Sequence, residues 1–248
     1  MENESYQSIV GSRSAPYITQ LANACGLATN YRAVSHPSLP NYLAATSGGT
    51  WGVADDAPPS DHPISRASIF SQLAAAGASW RSYEESMPSD CDLSSSGEYA
   101  VKHNPAAYYT GIRVDCRRWD VPFTAFERDL ERNALPSFAF VTPNLCDDMH
   151  DCPVAAGDGW LHRWIPRVIN SPPYRSGSTA IFITFDEGTS ATNQVATVVV
   201  SPTTTPETKS SLRFDHYSLL KTTEQLLGID EYLGRARSAL SMRRAFHL

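Results

Sequence analysis

Five short runs along the 248-residue chain bring together side chains that can do chemistry. His36-Pro37-Ser38-Leu39-Pro40-Asn41-Tyr42 sets a hydroxyl immediately ahead of a proline-initiated helix, predicted over 40–46 and closed by Ser47-Gly48-Gly49. Free backbone N–H groups and the helix dipole favour an anion at such a point, so a phosphate over Ser38 would meet ready-made donors. Phe185-Asp186-Glu187-Gly188 sets two adjacent carboxylates at a strand end. Their mutual repulsion is offset most simply by a hard cation. Asn144-Leu145-Cys146-Asp147-Asp148-Met149-His150-Asp151-Cys152 packs oxygen ligands and one imidazole between two cysteines. A disulfide there would clamp the loop and fix His150 in place. His216 precedes a helix predicted over 218–227, and Lys102-His103-Asn104-Pro105 adds two cationic side chains in a loop. Singly, each run has an ordinary reading. Ser38 can cap a helix, Asp186-Glu187 can open a turn, and residues 144–152 can form a solvated acidic loop. His216 can pack, and Lys102-His103 can lie on the surface.

The elements that must position these runs alternate. One-faced helix patterns cover 14–25, 63–76 (Ser65 as cap, Gly77 as stop), 121–133 and 158–170. Strand-like segments cover 80–83, 137–142 and 179–185, and the last two are apolar throughout, as in strands covered on both faces. This alternation predicts an α/β/α sandwich around a largely parallel central sheet, with the ligand site beyond the strands' carboxyl ends. Asn144 to Asp151 and Asp186-Glu187 fall at two such ends. Loops 55–61 and 85–104 run over one edge of the site. With 42% hydrophobic residues and no break in composition, the chain reads as a single domain over 1–248.

Lys and Arg number 20 against 26 Asp and Glu, with the signs interspersed, so no basic stripe marks a nucleic-acid partner. The longest apolar runs, 180–185 and 195–200, are strand-sized and fall short of the roughly 20 residues of a transmembrane segment. Five cysteines allow two loop-closing disulfides, Cys91 with Cys116 and Cys146 with Cys152, which suggests an oxidising compartment and leaves Cys25 free. The first residues nevertheless show neither the charged nor the apolar region of a signal peptide.

Read jointly, the runs have a family likeness. Glu2-Asn3-Glu4-Ser5-Tyr6, residues 36–42 with Thr46-Ser47-Gly48, Lys102-His103-Asn104-Pro105, Asp147-Asp148-Met149-His150-Asp151 and Phe185-Asp186-Glu187-Gly188 occur in one order. In that order they resemble the phosphoesterase family of bacterial and fungal acid phosphatases and phospholipases C, within the alkaline-phosphatase-like superfamily. The likeness covers essentially the whole chain and is strongest to short secreted acid phosphatases, including phosphatidylinositol-3-phosphatases. It implies that Glu2, Asn3, Asp186 and Glu187 hold a metal beside Ser38, itself a ligand and the nucleophile. Asn41, Lys102 and His103 would bind the substrate, Asn41 steadying the phosphoryl oxygens. His150 and His216 would contact the phosphoryl group or protonate the leaving oxygen. Asn144 and Asp148 are further ligand candidates. Superfamily members with two metals usually carry Asp at the position of Asn144, and a neutral amide is a poorer ligand. One strong site is therefore expected, for Ca²⁺, Mg²⁺, Mn²⁺ or Zn²⁺.

The implied activity is hydrolysis of phosphate monoesters, of the acid phosphatase type, through a metal-assisted phosphoserine. The substrate would be a phosphorylated small molecule or a lipid headgroup. A phosphodiesterase or phospholipase C is the alternative enzyme, and an inactive phosphate- or metal-binding module is the alternative of another class. In the family the Glu-Asn pair follows a central apolar strand, whereas here Met1 stands directly before Glu2. The expectation is a sheet lacking its first strand. Met1 would then be an internal codon, and the natural product, secreted or at the cell surface, would carry a signal peptide and that strand upstream.

Overall fold

The computed structural model describes residues 1–248, and its apolar and β-branched runs form seven strands. These are β1 (Gly26–Arg32), β2 (Trp80–Glu84), β3 (Asp120–Pro122), β4 (Phe138–Thr142), β5 (Ile181–Thr184), β6 (Gln194–Val200) and β7 (Thr208–Ser210). They make two sections of sheet, ordered β5-β6-β1-β7 and β3-β2-β4. β2 is parallel to β3 and β4, and β1 is parallel to β7, while β6 runs antiparallel to both β1 and β5.

Helices cover both faces, as the alternating pattern requires. On one side, helices Pro16–Ala24 and Val154–Ile169 bury Ile18, Leu21, Trp160 and Trp164 in one core with Val198 of β6. On the other, helices Ser38–Ser47, Ile69–Ala75 and His216–Leu226 share a second core built on Leu39, Leu43, Phe70 and Leu220. The site loops leave the sheet between these layers.

Three boundaries differ from the sequence reading, each for a local reason. The helix predicted over 63–76 begins at Ile69, because Ser68 and Ser71 cap each other reciprocally; Ser65 lies in an irregular stretch where Ile64 bridges Tyr109. The single helix predicted over 121–133 is a strand and a helix. Val121 pairs beside Tyr83 in β3, and the helix runs over Thr124–Glu131. The helix predicted over 14–25 ends at Ala24, and Gly26 opens β1, where a Cβ would lie 2.7 Å from the Phe246 ring. The central strand β1 had no apolar run to announce it, because Thr29, Asn30 and Arg32 interrupt the pattern.

β4 and β5 each end their section of sheet, and both line one cavity of about 570 Å³. Trp164 and Ile165 cover it on one side, Tyr42 and Leu219 on the other. Phe138 to Val141 are therefore only half-buried, although apolar throughout. At the carboxyl end of this gap the Met1 carbonyl accepts from Asp186 N–H (3.0 Å), and Glu2 N–H donates to the Asp148 carbonyl (2.8 Å). The backbone of residues 1 and 2 thus joins the loops that follow β4 and β5.

An apolar, extended segment fused ahead of Met1 is expected to enter this gap. It should raise the melting temperature by about 5 °C or more and slow amide exchange in β4 and β5. Hydrogen–deuterium exchange mass spectrometry checks this, and unchanged exchange in both strands counts against it.

Candidate active site

Glu2 is the centre on which the site converges. It is fully buried, and its Oε2 accepts the Ser38 hydroxyl at 3.2 Å while its Oε1 accepts that of Tyr42. His103 Nε2 lies 3.3 Å from the same Oε2, and His103 Nδ1 lies 3.1 Å from Asp148 Oδ2. The His103 ring stacks on Tyr42 with centroids 5.5 Å apart. Burial raises the Glu2 carboxyl well above its usual range, and repulsion from Asp186 and Asp148 adds to this. Burial likewise depresses the proton affinity of His103, with Asp148 opposing.

Ser38 opens the helix Ser38–Ser47, and both it and Glu2 are withdrawn from water. The turn before it is held by Asn41. Its Oδ1 accepts from the N–H groups of Val34 and Ser35 (3.0 Å each), and its Nδ2 donates to the carbonyls of Ser35 (3.0 Å) and Pro37 (3.1 Å). Its amide thus bonds four backbone groups and holds Ser38 at the helix start.

Asp186 and Glu187 follow β5. Asn3 N–H donates to Asp186 Oδ1 (3.1 Å) from a left-handed backbone at φ 49°, and Glu187 pairs with His36. Burial and the neighbouring Asp186 raise the Glu187 carboxyl to about 7, against which His36 acts. His216 is fully enclosed. Its Nε2 donates to the Asp186 carbonyl (2.6 Å), and its Nδ1 is 3.0 Å from the Tyr31 hydroxyl. A carbonyl only accepts, so Nε2 carries a proton, and burial lowers the proton affinity of the ring. With both nitrogens engaged, His216 holds the Asp186 backbone in this structure.

The remaining residues come from two loops. His150 is oriented by Asp151, with Nδ1 to Oδ1 at 2.6 Å, and its Nε2 faces Lys102 Nζ at 3.3 Å. Lys102 also reaches Asp56 Oδ2 at 3.0 Å. The loop bearing Lys102 and His103 is anchored by Asn104, whose Nδ2 donates to both oxygens of buried Asp120 (2.8 and 3.0 Å). Asn144 is turned away from the centre. Its Oδ1 accepts from the N–H groups of Cys146 and Asp147, and its Nδ2 donates to Ser86 and Glu98. The amide builds the turn that the Cys146–Cys152 disulfide closes. Three contributors had no assigned role in the sequence reading: Tyr42, His36 and Asp56. Tyr42 lay in the recognised run, but nothing in its spacing distinguished it from a core aromatic.

The chemistry of this donor set suits a divalent cation. Asp186 Oδ2, Glu187 Oε2, Asp148 Oδ2 and His103 Nε2 are buried without a hydrogen bond of acceptable geometry, although Asp148 and Glu187 each have an imidazole nitrogen close by. Four carboxylates, Glu2, Asp148, Asp186 and Glu187, are buried, and such a cluster is costly without a positive charge. Ligand atoms of Glu2, His103 and His150 also lie within 4.8 Å of one another, so the imidazoles flank the same centre. This makes His103 a ligand candidate besides the substrate contact expected from the sequence.

The phosphoesterase family profile matches residues 3–230. A phosphatidylinositol-3-phosphatase from Mycobacterium tuberculosis is 33% identical over 230 residues, covering 92% of this chain and 75% of that protein. An acid phosphatase from Aspergillus fumigatus is 31% identical over 250 residues, covering 95% of this chain and 55% of that protein. The chain thus spans little more than half the length of the fungal relatives it matches. Among solved structures, a protein in the alkaline phosphatase superfamily from Vibrio parahaemolyticus superposes with a TM-score of 0.64 at 12% identity, covering 99% of this chain and 70% of its own. A lipoteichoic acid synthase from Listeria monocytogenes superposes with a TM-score of 0.62 at 10% identity, covering 94% and 72%. At such identities the likeness is one of fold.

Saturating Mn²⁺ or Ca²⁺ is expected to raise the melting temperature by about 5–10 °C, the size of a one-site linkage at a hundredfold excess over Kd. Asp186→Asn should remove most of that gain; calorimetric titration gives the stoichiometry. A second expectation concerns Asp120, whose carboxyl is raised by burial to about 7. Its neutral form is favoured in the fold, so its contribution to stability is complete below about pH 4 and is lost as pH rises through about 7. Asp120→Asn should therefore make the fall in melting temperature between those pH values shallower by about 5 °C.

Proposed function

Because the chain belongs to the phosphoesterase family, we propose that it hydrolyses phosphate monoesters through a phosphoserine formed on Ser38, assisted by a divalent cation. The observation that carries this reading is the Ser38 hydroxyl, held on buried Glu2 at the start of a helix and near carboxylate oxygens without a hydrogen bond of acceptable geometry. Glu2, Asp186 and Glu187, with Ser38 and Asn3 at the edge, are the residues that would hold the cation; Asp148, His103 and His150 flank them. When bound, a cation there favours the serine alkoxide and neutralises phosphoryl oxygens.

The chain's own groups do the rest. Ser38 Oγ donates its hydrogen bond to Glu2 Oε2, which aims the hydroxyl and is the acceptor at hand for its proton. Its lone pairs are then free to attack phosphorus as the bond to the ester oxygen breaks, and the leaving oxygen takes a proton. Lys102 offers a positive charge to the phosphoryl oxygens. His150, held by Asp151 at Nδ1 and beside Lys102, would as the imidazolium give its Nε2 proton to the leaving oxygen as the P–O bond breaks, and as the neutral ring take one from the water that hydrolyses the phosphoserine. The substrate is a phosphorylated small molecule or a lipid headgroup. The disulfides Cys91–Cys116 and Cys146–Cys152 support a secreted or cell-surface location.

Ser38→Ala is expected to lower kcat on p-nitrophenyl phosphate by about a thousandfold or more, and a phosphorylated Ser38 peptide should be recoverable from acid-quenched parent enzyme. Equal turnover by the variant would remove Ser38 from the mechanism. Higher kcat/KM on bis-p-nitrophenyl phosphate than on the monoester would make the protein a phosphodiesterase instead.

A further inference from the structure

Asp56, in the loop over the edge of the site, is a carboxylate that the chemistry above leaves unused. Its Oδ1 accepts the N–H of Leu39, the residue directly after Ser38, at 2.9 Å, and its Oδ2 accepts from Lys102 Nζ at 3.0 Å. Lys102 in turn contacts His150 Nε2 at 3.3 Å. The Lys102 and Asp56 side chains are only 22% and 26% exposed, so this is not a pair waving in solvent. A planar carboxylate that spans a helix-start N–H and a lysine ammonium takes up the donors that a phosphoryl group on Ser38 needs.

We propose that Asp56 is an internal anion seated in the phosphoryl position of the unliganded protein, and that phosphate must displace it to bind. The inference rests on reading the Ser38 pocket as the phosphoryl site. Its consequence is a specificity-setting role. Affinity for phosphate is reduced by the fraction of molecules in which Asp56 holds the seat, and again by repulsion when it stays nearby. Substrate and product are affected alike, because each must take the same donors from the same carboxylate.

A structural role for Asp56, as a cap on the helix start, predicts the opposite sign. Removing a cap loosens Leu39 and Lys102 and weakens anion binding, whereas removing a competitor strengthens it. Asp56→Asn separates the two, because it keeps an oxygen for the Leu39 N–H and deletes the charge.

The experiment is calorimetric titration of inorganic phosphate into the cation-loaded parent, Asp56→Asn, Asp56→Ala and Lys102→Ala, with circular dichroism to establish that each is folded. Both Asp56 variants are expected to bind phosphate about tenfold more tightly than the parent, and KM for p-nitrophenyl phosphate should fall by a similar factor with kcat unchanged or lower. Lys102→Ala should bind more weakly. Unchanged or weaker binding in folded Asp56→Asn overturns the proposal. If the parent binds phosphate in a Lys102-dependent way that ignores Asp56, the inference fails while the site reading stands. If no folded form binds phosphate, both fall together.

Discussion

The structure depends on a concentration of negative charge in a place with little water. Glu2, Asp148, Asp186 and Glu187 are buried together, and the local neutralising groups are imidazoles and hydroxyls. Carboxylates crowded in this way stay ionised only when a cation or a ring of donors stands against them. The ring here is incomplete, because oxygens of Asp148, Asp186 and Glu187 lack hydrogen bonds of good geometry. Burial that would be a defect in a packed core leaves, at the carboxyl ends of β4 and β5, a donor set that suits a hard cation and an acceptor beside the serine.

Around this charge the fold supplies rigidity in layers. Ser38 is set by a helix start and by four bonds from Asn41, while His216 holds the Asp186 backbone from beneath. Asn104 on Asp120 anchors the loop bearing Lys102 and His103, and the Cys146–Cys152 disulfide closes the loop bearing Asp148 and His150. Asn41 and His216, read in the sequence as groups that touch substrate, also serve as a frame that aims other groups. Frame and reacting residues draw on the same polar types, and local sequence does not separate them.

Much of this was legible beforehand, and the pattern of successes is physical. β4 and β5 and the helices that cover the sheet are long apolar or one-faced stretches whose local signal agrees with their tertiary role. The Asp148, His150 and Asp186-Glu187 clusters were visible as loops at strand ends, and Ser38 as a hydroxyl at a helix start. β1 was not, because a strand interrupted by Thr29, Asn30 and Arg32 is specified by its neighbours β6 and β7 rather than by its own pattern. Val121 merged with the following helix because a three-residue strand carries no period. Asn144 read as a ligand candidate because spacing alone cannot tell an amide aimed at an ion from one that closes a turn. Tyr42, His36 and Asp56 depend on contacts across 17 to 151 positions of sequence, which no local pattern encodes.

The two sections of sheet meet at the cavity between β4 and β5, and the hydrogen bonds of Met1 and Glu2 tie the loops beyond it. The ligand cluster straddles that seam: Asp186 and Glu187 belong to one side, His103 and Asp148 to the other, and Glu2 stands between. An ion bound there is a cross-link as well as a cofactor. It would hold the halves in register much as a clasp holds two panels, so cohesion of the fold and assembly of the reactive centre become the same event.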